Sequence, residues 1–161
     1  MARIVMRLEL VKRPQEGSWR VRVISPDDAA PLGELMVQAY RGTVDYHGET
    51  PEDARAEVKA TLGGKYGEFL RDCSFLIEEE GQIISAVMVT LSEQYRAPLL
   101  AFCMTHPSRK TEGMATFLIR EACNALVNAG FRELFLVVTE ANKPARHIYE
   151  KMGFFVVSNS L

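Results

Sequence analysis

Cysteine is scarce in this chain of 161 residues: there are three, Cys73, Cys103 and Cys123, widely spaced and set in apolar stretches. An odd number at such spacing argues against a disulfide framework and for reduced, buried thiols, as in a cytoplasmic protein. Metal-ligand spacing is missing too. His47, His106 and His147 stand far apart and no CxxC or HExxH pattern occurs, so no metal is expected. No apolar run is long enough to span a bilayer, and no membrane association is expected. The opening MARIVMRLELVKRPQEG scatters basic residues through its length and has no uninterrupted apolar core, so it does not read as a secretory signal. Charge of one sign is absent as well. The formal net charge of -2 lacks the basic field of a nucleic-acid binder. There is no internal repeat, low-complexity tract or linker that would divide the chain.

What is present is the balance of an ordinary globular protein, 47% hydrophobic and 25% charged residues, at a length that suits one domain over 1–161. RIVMRLELV puts Ile4, Met6, Leu8 and Leu10 on one face at period two, and WRVRVIS alternates again at Trp19, Val21 and Val23. Two such runs around the turn RPQEGS predict an N-terminal hairpin. Ser25 followed by Pro26 and two acids predicts a helix start, with Leu32, Leu35, Met36 and Ala39 as its buried face. Thr50 and Pro51 open a second helix, which Gly63 and Gly64 should end. CSFLIEEEGQIISAVMVTLSE reads as two strands joined at EEGQ, and APLLAFCMT as a strand covered on both faces. A helix from Gly113 to Gly130, the strand FRELFLVV, a helix from Pro144 to Met152 and the strand FFVVS complete the chain. This order predicts an α/β fold, a mixed sheet with helices on both faces.

Two stretches carry chemistry. FCMTHPSRKTEGMA runs from a buried strand through a basic loop into a helix. A helix N-terminus exposes unpaired N–H groups and partial positive charge, Gly113 admits a ligand close to the backbone, and Arg109 and Lys110 add charge. Together they make a cradle for a phosphate or pyrophosphate. The alternative is a solvated loop in which Ser108 or Thr111 caps the helix and Glu112 favours its dipole. It is neither a Walker loop nor a dinucleotide fingerprint. In NKPARHIYEKMGF, Ala145, Ile148, Tyr149 and Met152 share one helical face, Pro144 suits the first turn and Gly153 the left-handed stop. Tyr149 is then either a core aromatic bonded to a carbonyl or a phenol directed at a ligand. Asn142 is either a turn residue or a contact.

Together these stretches resemble the GNAT superfamily of N-acetyltransferases. The loop matches that family's cofactor motif at Pro107, Gly113 and Ala115, with Lys110 at its Arg/Gln position. The second motif matches at Leu136, Val138, Asn142, Ala145, Ile148, Tyr149, Lys151, Gly153 and Phe154. The resemblance covers about Trp19 to the C-terminus, so 18–161 would be the core and 1–17 an extra strand and turn. It implies a mostly antiparallel twisted sheet of six to seven strands with a splayed parallel pair. It also implies acetyl-CoA as cofactor and acetyl transfer, by direct attack, to a primary amine of a small molecule or peptide. By position, Cys103, Met104 and Thr105 would meet the pantetheine arm. Amides across Lys110, Thr111, Glu112, Gly113, Met114 and Ala115, with Arg109 beside them, would hold the pyrophosphate. Asn142 would touch the cofactor, and Tyr149 would be the general acid.

Two departures bear on this. Thr111 stands where the family usually has glycine. Glu112 should repel a pyrophosphate unless it points away or pairs with Arg109 or Lys110. No acid lies in LLAFCMT, so the base is open among Glu93, Glu140, Asp45, His47, Glu49 and His106. The segment AYRGTVDYHGETPEDARAE offers Tyr40, Tyr46 and His47 among several acids. That composition suits a cationic acceptor, unless the acids only decorate the second helix. A fold that binds CoA as a sensor or structural ligand without turnover is the other reading. A homodimer would be in keeping with the family, the extra strand offering an edge.

Overall fold

The computed structural model describes residues 2–160. Two strands, β1 (Arg3–Glu9) and β2 (Val21–Val23), precede the first helices. Ser25 and Asp28 form a capping box on a short 3-10 turn, which runs into α1 (Ala29–Tyr40). Thr50 and Asp53 form another, with Pro51 in the first turn, and start α2 (Pro51–Leu62), which Gly63 ends. Then come β3 (Glu68–Phe69), β4 (Phe75–Glu79), β5 (Gln82–Ser92), β6 (Ala97–Thr105), α3 (Met114–Asn128), β7 (Glu133–Thr139), α4 (Lys143–Met152) and β8 (Phe155–Ser160).

These strands form one sheet in the order β2-β4-β5-β6-β7-β1-β8, with the two-residue β3 paired to β5. The sheet therefore has eight strands where six to seven are expected, the difference including this short β3. Every pairing between strands is antiparallel except that of β6 with β7. Each face of the sheet carries its own apolar cluster. On one, Leu32 and Leu35 of α1 and Val58 of α2 pack with Leu76, Met88 and Met104. On the other, Leu118, Ile119 and Cys123 of α3 pack with Ile4, Met6, Leu134 and Leu136, and Ile148 and Tyr149 of α4 lie against that cluster. No helix among the described residues is long and apolar enough to cross a membrane.

The N-terminal hairpin does not form. β2 pairs with β4, while β1 is enclosed between β7 and β8. The reason is visible in the consecutive run Ile4-Val5-Met6, whose exposures are 2%, 3% and 0%. A strand buried on both faces belongs inside a sheet, not in a two-stranded ribbon. The edge beyond it is β8, with Phe155 and Val156 exposed, so the extra strand is not an edge. The segment from β1 to β2 crosses α3 instead of turning back. Arg13 N–H donates to Asn124 Oδ1 at 2.8 Å, Asn124 Nδ2 returns a bond to Arg13 O at 2.9 Å, and Gln15 Nε2 donates to Phe117 O at 2.9 Å. It delivers Trp19 edge-on to Phe117, with ring centroids 5.4 Å apart.

Since β1 joins β7 to β8 through the core, truncating its central side chain should be felt throughout the fold. Met6→Ala is expected to destabilise by about 2–5 kcal/mol, as large-to-small core changes do. Thermal or urea unfolding measures this, and a loss below about 1 kcal/mol would mean that β1 is peripheral to the folding unit.

Candidate functional site

The site starts from a defect in the sheet. Along the β5–β6 ladder, Met88 faces Phe102 and Val89 faces Leu100, so Ala101 is an extra residue on β6. A bulge of this kind bends its strand and increases the local twist. β6 and β7 touch in register only at Leu99 and Phe135, and the edge of β6 facing β7 has no ladder partner beyond Leu99. The stacked rings of Tyr95 and Phe135, 5.0 Å apart and 8° from parallel, sit at the closed end. Past it lies a cavity of about 570 Å³, walled by Phe102 and Cys103 on one strand, Thr139 on the other, Tyr40 of α1, Asp45 of the α1–α2 connection, and Asn142 and Tyr149 of α4.

α4 is placed by its own ends. Asn142 Oδ1 accepts from Ala145 N at 3.3 Å, and Gly153 adopts φ 105° after the last turn. Tyr149 is thereby held against Cys103. Burial pushes the Tyr149 phenol well above its usual value, and the neighbouring Cys103 and Tyr40 add to the rise. Burial also pushes the Cys103 thiol up to about 12. Tyr40 is raised for the same first reason. The Asp45 carboxylate accepts from Thr139 Oγ1 at 2.5 Å and from Asn142 Nδ2 at 2.8 Å. Its negative charge contributes to the rise at both tyrosines, while Arg3 acts in the opposite direction on Tyr40.

The basic loop has a different character. Pro107–Arg109 forms a 3-10 turn capped by His106, whose Nδ1 accepts from Ser108 N at 3.2 Å. α3 begins after Gly113 at φ 86° with no side chain capping it. Neither Ser108 nor Thr111 caps this helix, so its first-turn N–H groups have no side-chain acceptor. A Cβ at Gly113 would meet only the Trp19 ring, at 3.7 Å. Thr111 has φ 75°, a left-handed conformation that stores about 1 kcal/mol or more in a β-branched residue. The Arg109 guanidinium is held between two carboxylates, Glu79 at 2.6 Å and Glu112 at 2.8 Å. Glu112 thus pairs with Arg109, and together with Glu79 of β4 it takes up the charge of that guanidinium. Lys110 Nζ turns to Ala39 O at the end of α1, at 3.5 Å.

Of the residues singled out from the sequence, Tyr40, His47, Cys103, Asn142 and Tyr149 line one cavity. Met104 and Thr105 continue β6 with buried side chains, Thr105 sharing a hydrogen bond with Ser85 at 2.8 Å. Met114 is buried in the core, so it and its neighbours Lys110 to Ala115 offer backbone amides at the start of α3. Tyr46 does not line the cavity; its hydroxyl donates to Glu49 O at 3.3 Å. Glu93 lines an adjoining cavity at the β5–β6 turn, and exposed Glu140 lines neither. Sequence reasoning missed Arg3, Thr139 and Glu79. Only Thr139 had a usable signal, its place at the end of a strand just before the Asn142 helix start.

Comparison with known proteins agrees with this fold. A family model described as "Acetyltransferase (GNAT) family" matches residues 37–154. No curated protein matches the chain in sequence. Among solved structures, a GCN5-related N-acetyltransferase from Sphaerobacter thermophilus superposes with TM-score 0.74 at 18% identity, over 98% of this chain and 49% of that one. The chain thus spans about half the length of that relative. An N-acetyltransferase from Thermoplasma acidophilum in complex with coenzyme A gives TM-score 0.65 at 19% identity, over 88% of this chain and 92% of that one. A GNAT family acetyltransferase from Brucella melitensis in complex with acetyl-CoA gives 0.63 at 22%, over 88% of both chains.

The raised tyrosines set a pH dependence of stability. Below about pH 10, the value of a free phenol, both states keep these protons and the contribution is full. Above it the unfolded chain releases protons that the folded chain retains, so stability falls as pH rises toward the folded values. Melting temperature is therefore expected to drop between about pH 10 and 11, and Tyr40→Phe to make that drop shallower. An equal drop in wild type and variant would mean that Tyr40 is solvated in the folded protein.

Proposed function

We propose that this chain, which belongs to the acetyltransferase (GNAT) family, transfers an acetyl group from acetyl-CoA to the primary amine of a small molecule or peptide. The observation that carries the reading is the phenol of Tyr149 held against Cys103 at the open end of the strand splay. Uncapped amides at the start of α3, a glycine that only the Trp19 ring approaches, and an unpaired strand edge leading to Tyr149 support a cofactor lying along this path. Amides of Lys110 to Ala115 would hold the pyrophosphate, and backbone groups of Cys103, Met104 and Thr105 the pantetheine arm. Asn142 would touch it beyond them.

When bound, acetyl-CoA supplies a thioester carbonyl open to attack by a neutral amine. The chain's residues supply position and protons. A backbone N–H on the free edge of β6 stands ready to donate to negative charge on oxygen. Tyr149 keeps its proton at Oη through the physiological range, because burial disfavours the phenolate. The same desolvation raises the Cys103 thiol to about 12. Desolvation would disfavour a sulfur anion there as well, so a proton donor beside it would help the thiolate leave. Of the carboxylates considered as base, Asp45 and Glu49 share the cavity with Tyr149, and Asp45, whose charge is felt at the Tyr149 phenol, is the one we assign to the acceptor's ammonium. Glu93 and Glu140 would need a relay to reach it.

Two features favour a second reading, a protein that holds CoA without turning it over. They are the neutralised Arg109 and the strained Thr111. Calorimetric titration with acetyl-CoA and with CoA is the deciding experiment. Trp19, the single tryptophan, lies against Gly113 and offers fluorescence as a second readout. Glu112→Gln is expected to tighten cofactor binding about fivefold, roughly 1 kcal/mol, by removing a negative charge from a helix start. Weaker binding would mean that the Glu112–Arg109 pair shapes the loop for the cofactor. Tyr149→Phe is expected to lower kcat by about one to two orders of magnitude with cofactor affinity within about twofold. Unchanged turnover would remove the general-acid role.

A further inference from the structure

The cavity beside Tyr149 does not end at the splay. A second cavity of about 520 Å³ lies along it, walled by the β5–β6 turn with Glu93 and Tyr95, and by the connection Gly64–Gly67. The two share Leu100, Ala101, Phe102, Val137 and one charged residue, Arg3. They form one trough along the diverging strands, and Arg3 stands where its halves meet. Glu57 sits between them, accepting from Tyr66 Oη at 2.8 Å and pairing with Lys65 at 3.4 Å.

Arg3 reaches this place from the buried strand β1. It is opposite Thr139 in register and Val5 is opposite Val137, so its side chain leaves the sheet on the same face as those two cavity residues. Its charge is felt at the Tyr40 hydroxyl. Among the described residues it makes no ion pair and no side-chain hydrogen bond. The trough's acids differ. Asp45 holds Thr139 and Asn142, Asp53 caps α2, Glu49 accepts from His47 N, and Glu57 is engaged as above. Glu93 lies at the far end, exposed. Lys65 is paired with Glu57, so Arg3 is the arginine or lysine of the trough that no carboxylate pairs with among the described residues, and it is exposed to an incoming ligand. An arginine fork in a cavity is built to take an anion.

We propose that Arg3 determines acceptor specificity by binding an anionic group on the acceptor, a carboxylate or a phosphate, while the acceptor's amine lies toward Asp45 and Tyr149. The substrate class is then an amine that carries its own anion, such as an amino acid or an aminoalkyl phosphate, in preference to a plain alkylamine or a polyamine. This rests on the acetyltransferase reading and narrows it.

The test measures thiol release from acetyl-CoA with three acceptor series: ω-amino acids from glycine to 6-aminohexanoate, 2-aminoethyl and 3-aminopropyl phosphate, and alkylamines of matching length. At least one anionic amine is expected to exceed its alkylamine in kcat/KM by about tenfold or more, equivalent to about 1.4 kcal/mol. Which of the two anionic series leads identifies carboxylate or phosphate. In Arg3→Gln that ratio is expected to fall to about one, and in Arg3→Lys to lie between. Melting temperatures of both variants close to wild type would separate lost recognition from lost folding. A wild-type ratio near one, or a ratio unchanged in Arg3→Gln, overturns the inference and leaves the transferase reading standing. Cofactor binding without transfer to any of these amines also overturns it, while absence of cofactor binding removes the transferase reading itself.

Discussion

The divergence of β6 from β7 is the constraint on which the rest of the structure depends. A parallel pair inside a sheet would ordinarily hydrogen-bond along its length, since unpaired buried backbone groups are expensive. Here the pair keeps one register contact, Leu99 with Phe135. Each strand can afford this because its other edge is secured. β6 is laddered to β5 from Ala97 to Thr105, and β7 is laddered to β1 from Glu133 to Thr139. The bulge at Ala101 turns β6 aside without breaking that ladder. Space, unpaired backbone and a strand edge for a ligand all follow from one added residue.

Electrostatics then divides the cleft into two regions. At its open end, desolvation holds Tyr40, Cys103 and Tyr149 in their neutral forms. At the loop before α3, Glu79 and Glu112 take up the Arg109 charge, so the partial charge of the α3 start matters more there than the Arg109 guanidinium. Between the two, Asp45 ties the α1–α2 connection to the end of β7 and the start of α4. One carboxylate thus links three elements around the cavity that Tyr149 lines.

Much of this was legible before folding was considered. The helix from Lys143 to Met152, its cap at Asn142 and its stop at Gly153 depend on backbone preferences within a dozen residues, so their signals lie next to one another in the chain. The capping boxes at Ser25 and Thr50 are local in the same way. The face that Tyr149 shares with Ile148 and Ala145 follows from helical period alone. Family resemblance then added the chemical roles that period cannot supply.

Other features were decided only by long-range partners. Alternation marked Arg3–Glu9 as a strand, but strand pairing depends on which edge is free at a distance, and β1 found β7 and β8 rather than the nearby β2. The sequence left Glu112 either repelling a pyrophosphate, pointing away, or paired with Arg109 or Lys110; the fold pairs it with Arg109 and brings Glu79, distant in sequence, to the same guanidinium. Arg3 and Thr139 face one another across β1 and β7 although the whole domain separates them in the chain. The sequence by itself determined the four helices, most of the strands and the helix starts at Ser25 and Thr50, because those follow from local backbone and side-chain preference. Tertiary structure decided which charges meet and what lines the cleft, because Coulomb and packing energies act on distance in space and not on separation along the chain.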